Sequence, residues 1–156
     1  MRRALKLSGG RMSDLRIHAR TTCLPEHVEF IQRYGDRHIR NDSYRYYRSL
    51  AERGLAGADC LLIEARNPET GLLAGLSACR LAHPTRASIT VVADRYRNQG
   101  LGSMLFALKV DEAQRQGYEV ETDVAANNIA SRRLVSKRLN ELREEDGTVV
   151  YAQRAQ

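Results

Sequence analysis

Val91-Val-Ala-Asp-Arg-Tyr-Arg-Asn-Gln-Gly-Leu-Gly-Ser103 passes from a β-branched run through a polar segment into a turn punctuated by two glycines. The β-branched residues Ser88 to Ala93 predict a strand, and Leu101, Met104, Leu105 and Leu108 form one apolar stripe of a helix that stops at Gly117. A loop that runs straight into a helix leaves the first helical N–H groups without partners. With the positive end of the helix dipole, those amides suit an anion such as a pyrophosphate. Gly100 and Gly102 permit close approach, and Arg95 and Arg97 add positive charge at the entrance. The segment lacks the Gly-Lys-Ser/Thr of a Walker loop and the Gly-x-Gly-x-x-Gly of a dinucleotide fold. A phosphate-bearing ligand is one reading; a plain tight strand–helix turn is the other.

Outward from this loop, the element pattern is readable. Leu15, Ile17 and Ala19 alternate with Arg16, His18 and Arg20 as a half-exposed strand. Pro25 opens a helix with Val28, Phe30 and Ile31 on its apolar side, and Asn41-Asp-Ser43 caps a second helix ended by Gly54 and Gly57. Two apolar runs, from Cys60 and from Leu72, flank the turn Asn67-Pro-Glu-Thr-Gly71 as a hairpin. Beyond the long helix come a strand over 118–124, a helix over 128–138 and a last strand over 148–151. The expected order is β-α-α-β-β-β-α-β-α-β-β, antiparallel at first and then a β-α-β crossover. It is an α/β chain of one domain over 15–156, preceded by a flexible basic tail over 1–14; Met12 is an alternative natural start.

With 156 residues, 42% of them hydrophobic, the chain can bury an ordinary core. No apolar run is long enough for a membrane helix and no apolar signal core opens the chain, so the expectation is a cytoplasmic protein with no membrane partner. Cys23, Cys60 and Cys79 are odd in number and lack paired spacing, which predicts reduced thiols and no metal. The net charge of +6 lies wholly in residues 1–53, which hold 12 Lys/Arg against 6 Asp/Glu. Such a basic face attracts an anionic partner or is merely solvated.

Arg97-Asn-Gln-Gly100-Leu-Gly102 resembles the Arg/Gln-x-x-Gly-x-Gly/Ala signature of the GNAT superfamily of N-acetyltransferases. Further on, Asn128, Ser131, Leu134 and Lys137 fall in register with a second family motif. The resemblance runs from about residue 15 to the end. It implies a central, mixed but mostly antiparallel sheet of six to seven strands flanked by four helices. It also implies acetyl-coenzyme A (acetyl-CoA) as co-substrate, with its pyrophosphate on the backbone of Asn98, Gln99, Gly100, Leu101, Gly102 and Ser103 beside Arg97. The pantetheine arm would pair with Val91 and Val92 and meet Asn128 and Ser131, and Lys137 or Arg133 would reach a phosphate. The acceptor is an amine on a small molecule, peptide or protein, with an amine on charged transfer RNA left open; a homodimer is common in the family.

Catalysis calls for a base, because only a neutral amine attacks a thioester. Glu119, Glu121 and Asp123 share one face of a strand, and Glu121, then Asp123, is the candidate; the alternative is carboxylates paired with arginines or facing water. Val135 stands where the family usually carries the tyrosine that protonates the leaving thiolate, and Leu139-Asn140 replaces its Gly-Phe. Tyr151 or a water is the substitute. Tyr47 reads as core, and Tyr44 or Tyr46 as cleft lining; His18 and His83 read as surface, and His27 and His38 as too isolated for a metal. Two further readings stay open: a GNAT module that binds coenzyme A or a macromolecule without turnover, and a longer-chain acyltransferase.

Overall fold

The computed structural model describes residues 2–5, 15–35, 39, 41–53 and 59–153, with 2–5 and 41 through their backbone alone. Strands β1 (Arg2–Leu5), β2 (Leu15–Arg20), β3 (Cys60–Arg66), β4 (Leu73–Arg80) and β5 (Arg86–Val92) form one antiparallel sheet in chain order. Strands β6 (Glu121–Ala125), β7 (Leu139–Glu145) and β8 (Thr148–Gln153) form a second, with β8 in the middle. Helices α1 (Pro25–Tyr34), α2 (Asn41–Arg53), α3 (Leu101–Arg115) and α4 (Ile129–Ser136) complete the order read from the sequence.

Three details differ from expectation. Arg2–Leu5, read as part of a flexible tail, pair with β2, whose outer edge otherwise offers unpaired amides and carbonyls. The rest of that tail, Gly54 and Gly57, and His38 lie outside the described residues. The single mixed sheet is two antiparallel sheets: no ladder joins β5 to β6, and they are bridged by Thr85 N–H donating to Glu119 O (2.9 Å), by Thr85 Oγ1 with Glu121 O and N (both 3.2 Å) and by the Thr122 hydroxyl donating to Ser88 (3.2 Å). β7 carries no strand signal in the sequence, because only Leu139 of its seven residues is buried and no apolar alternation marks it.

The main sheet is covered on both faces. Along β4, Gly75, Ser77 and Cys79 point one way and Leu76, Ala78 and Arg80 the other. The first face meets α3: a methyl on Gly75 would lie 2.7 Å from a Leu105 methyl carbon. The second meets α1 and α2, where Phe30, Ile31, Tyr47 and Leu50 are buried. All three cysteines are buried and free. Among the described residues no helix is long and apolar enough to cross a membrane.

A buried ionic cluster locks α1 to this second face. Glu64 of β3 has no exposed side-chain area and accepts from His27 Nε2 (2.8 Å), Arg66 Nε and Nη2 (both 3.0 Å) and Arg20 Nε. Leu24 N–H donates to His27 Nδ1 at 2.9 Å, so the ring proton resides on Nε2 and points at Glu64. Burial alone would raise the Glu64 carboxyl, but the hydrogen bonds from His27, Arg66 and Arg20 outweigh it and hold it well below the usual range. His27, read as isolated, belongs to this cluster, and His18 lies against it, 3.3 Å from Glu64.

Candidate functional site

From their junction at Thr85, β5 and β6 diverge without a ladder and leave a cleft of about 820 Å3. Its walls include Ser88, Thr90, Thr122 and Val124 from the two strands, Asn128, Ser131, Leu134 and Val135 around α4, and Ser43 and Tyr46 from α2. Tyr46 is therefore cleft lining and Tyr47, fully buried, is core.

The cleft opens on two sides of the sheet. Thr90 bonds Ser77 (2.8 Å), and Thr122 donates to Ser88 (3.2 Å), so these hydroxyls face α3. By strand alternation Glu121 and Asp123 face the α2 side, as does Arg80, whose guanidinium stacks on Tyr46. The α3 side has a hydrophobic floor from Phe106, Leu134 and Val135; the α2 side is charged.

The glycine loop stands at the α3 mouth. A 3-10 turn over Asp94–Tyr96 leads to Asn98 (φ 62°) and to Gly100 (φ 86°), which starts α3. The first helical bond is Met104 N–H to Gly100 O (3.1 Å), and no side chain caps the helix. The amides of Leu101, Gly102 and Ser103 therefore lack helical partners, as an anion site requires. A Cβ on Gly102 would stand 3.3 Å from Leu134 and 3.4 Å from Val92, so glycine lets α3 start tight against β5 and α4. Lys137 Nζ donates to Ser103 Oγ (3.4 Å), which places a cation beside the loose amides.

Most of the residues singled out in sequence converge here. Asn128 caps α4 by accepting from Ser131 N–H at 3.2 Å, and both line the cleft. Ala93 N–H donates to Ala74 O (3.0 Å), so alternation turns the Val91 amide toward β4 and those of Val92 and Thr90 toward the free edge. Arg97 does not point freely into the loop. Its Nε donates to Val92 O (3.1 Å) and its Nη2 to Tyr34 O (2.8 Å), tying the loop to β5 and α1. Gln99 likewise bonds back to Arg95 O (3.2 Å).

Glu121 is half-buried with Arg143 Nη2 at 3.9 Å, and Asp123 is exposed. Their strand, expected inside a helix-covered sheet, is instead an edge beside the cleft, so carboxylates there keep access to water. Val135 lines the cleft where the family tyrosine is expected. Tyr151 is buried elsewhere, its hydroxyl accepting from Arg132 Nε at 3.1 Å beside a second depression. Under the cleft, Lys109 is 1% exposed, donating to Ser88 Oγ (2.6 Å) and Ala78 O (3.3 Å) over the face of Phe106. Burial lowers its ammonium to about 8. Periodicity places Lys109 between the apolar Phe106 and Val110, and that was the available signal.

The solved structures similar to this chain include the ribosomal-protein-S18-alanine N-acetyltransferase of Escherichia coli (21% identity, TM-score 0.65, covering 88% of this chain and 91% of that one). A GNAT family acetyltransferase of Elizabethkingia anophelis with acetyl-CoA bound matches at 13% identity and TM-score 0.65, over 90% and 98% of the two chains. The PaiA N-acetyltransferase of Thermoplasma acidophilum in complex with coenzyme A matches at 12% and 0.65, over 89% and 99%. These identities speak for the fold alone. No curated protein matches significantly. The model of the acetyltransferase (GNAT) family, whose members take their acyl group from acetyl-CoA, matches residues 25–140, and the chain belongs to that family.

Proposed function

We propose that this protein is an N-acetyltransferase that moves an acetyl group from acetyl-CoA to a primary amine by direct attack on the thioester. The observation that carries the reading is the two-sided cleft. Unpartnered helix amides and Lys137 stand at one mouth, and Glu121 and Asp123 at the other.

The roles follow from placement. Backbone amides over Asn98–Ser103 hold the pyrophosphate, and Lys137 adds charge there. Arg97 positions this loop rather than gripping the ligand. The free edge of β5 takes the pantetheine arm as an added strand against Asn128 and Ser131. The Val92 amide, fixed in the backbone, donates to the carbonyl oxygen on which negative charge gathers during attack. Glu121, or Asp123, takes the proton that the attacking nitrogen must shed, directly or through a water. No tyrosine of the described residues replaces the family's proton donor on the α3 side, so a water protonates the departing thiolate.

Calorimetric titration with acetyl-CoA tests the donor assignment, with Gly100→Trp as the blocked control. A side chain there meets nothing within 4 Å, so Trp covers the loop at only the backbone cost of φ 86°, about 1–2 kcal/mol. Saturable binding by the parent, lost in the variant, is expected; no binding by folded parent removes the assignment. Glu121→Gln should keep coenzyme binding and lower turnover at least 100-fold. Val135 favours one other reading, a coenzyme-binding module, and binding without turnover toward any amine in a broad panel would establish it.

A further inference from the structure

The α2 side of the cleft carries a second charged feature that the acetyl-transfer reading leaves unused. Arg80 of β4 and Arg86 of β5 are direct cross-strand partners, so both side chains leave the same face of the sheet, and both line the cleft. Like charges in this arrangement repel and destabilise the strand pair. Among the described residues neither guanidinium forms an ion pair, although Asp42, Glu121 and Asp123 share the same walls. Glu121 is answered by Arg143 instead.

The pair is also held in place. The Arg80 guanidinium lies 5.6 Å from the centre of the Tyr46 ring, and the Tyr46 hydroxyl is anchored by donating to Asp59 O (2.9 Å). β5 carries one extra residue between Arg86 and Ile89, with Ala87 at φ 52° and its carbonyl bound by the buried Tyr47 hydroxyl (2.5 Å). That bulge brings Arg86 into register with Arg80. Arg86 also follows Thr85, whose hydroxyl bonds the Glu121 backbone at 3.2 Å. Both arginines and the proposed base thus line one cleft, and the residue before Arg86 is tied to the Glu121 backbone.

We propose that Arg80 and Arg86 form an oxyanion-binding subsite, and that the acceptor is a small amine bearing a carboxylate or phosphate a few bonds from its nitrogen. Planar guanidinium forks bind both groups bidentately, and two forks side by side offset their mutual repulsion by sharing one anion. The Thr85–Glu121 bond, one residue from Arg86, sets the spacing on the scale of a small molecule. An amine and an anion far apart on one scaffold could not reach both at once. The acceptor class rests on the acetyl-transfer reading, but the subsite can be tested apart from it.

Three probes that share an aminoethyl group separate the contributions: β-alanine, O-phosphoethanolamine and ethanolamine. Each is added to the whole protein, first saturated with coenzyme A so that the glycine loop is occupied, while Nε–H resonances of Arg80 and Arg86 are followed by NMR. Both anionic probes should shift these signals saturably and ethanolamine should not; a response to one alone selects carboxylate or phosphate. Arg80→Gln and Arg86→Gln, both at exposed positions, should each raise Kd at least tenfold. The subsite is refuted if ethanolamine binds equally well, if shifts fall elsewhere, if none occur, or if the double variant binds unchanged. Coenzyme binding is read separately at the Gly100 and Gly102 amides, so failure there strikes the donor assignment and leaves the subsite result intact.

Discussion

Lys109→Met should change how stability depends on pH in a way that no neighbouring residue can mimic. The lysine is enclosed by β4, β5 and α3, with Phe106 beneath it, Ser88 and Ala78 O as hydrogen-bond partners, and Cys79 as its titratable neighbour. Burial lowers the ammonium from 10.5 to about 8. That displacement corresponds to about 3 kcal/mol of differential stability. Between those two values the unfolded chain binds a proton that the folded protein does not, so raising the pH favours the fold. Below pH 8 both states are protonated and the slope disappears. Methionine has similar volume and no charge, so its variant lacks this term.

The assay is urea denaturation followed by circular dichroism at intervals from pH 7 to 10.5. Cys23, pushed up to about 11 by burial, and the buried tyrosine hydroxyls lose stability over the same range. They are common to both proteins, and Cys79, whose thiol the Lys109 charge lowers, is replaced by alanine in both, so the difference between the two curves isolates the lysine. Wild type should gain on the variant by about 1.4 kcal/mol per pH unit above pH 8, approaching 3 kcal/mol in total. A difference that stays flat across the range would show that Lys109 remains charged in the fold, and the burial argument would fail.

Two further substitutions probe the scaffold and the loop. Glu64→Ala leaves His27, Arg66 and Arg20 facing an empty partner and should cost about 3–5 kcal/mol in chemical denaturation. Because the Glu64 carboxyl is held below its ordinary value of 4.5, its stabilisation is present above that pH and lost as the pH falls. Glu64→Gln should therefore lose less stability than wild type on acidification, and equal acid sensitivity would contradict the assignment. Gly102→Val should weaken coenzyme A binding at least tenfold by calorimetry, since its side chain enters the tight space between α3, Val92 and Leu134. Unchanged affinity would show that close approach at Gly102 is not needed.

Local sequence determined the elements and the glycine loop. Strand alternation, helix stripes and the glycines of Arg97–Gly102 are short-range patterns, each readable within about a dozen residues. Strand alternation put Glu121 and Asp123 on one face, while Asn128, Ser131 and Lys137 were assigned to the loop's surroundings through the family resemblance. Tertiary structure alone decided the rest. The Glu64 cluster draws His27, Arg20 and His18 from 37 to 46 positions away, and no periodicity announces such a pairing. Arg80 and Arg86 become partners only through a bulge, and Lys109 becomes a buried amine only because Ser88 and Ala78 O lie within its reach. Arg97 matched the signature, yet its bonds to Val92 O and Tyr34 O make it a brace for the loop. The split between β5 and β6 belongs to the same class. Hydrogen bonding between strands depends on how far apart packing holds them, and α3 and α4 on one side with α2 on the other set that distance.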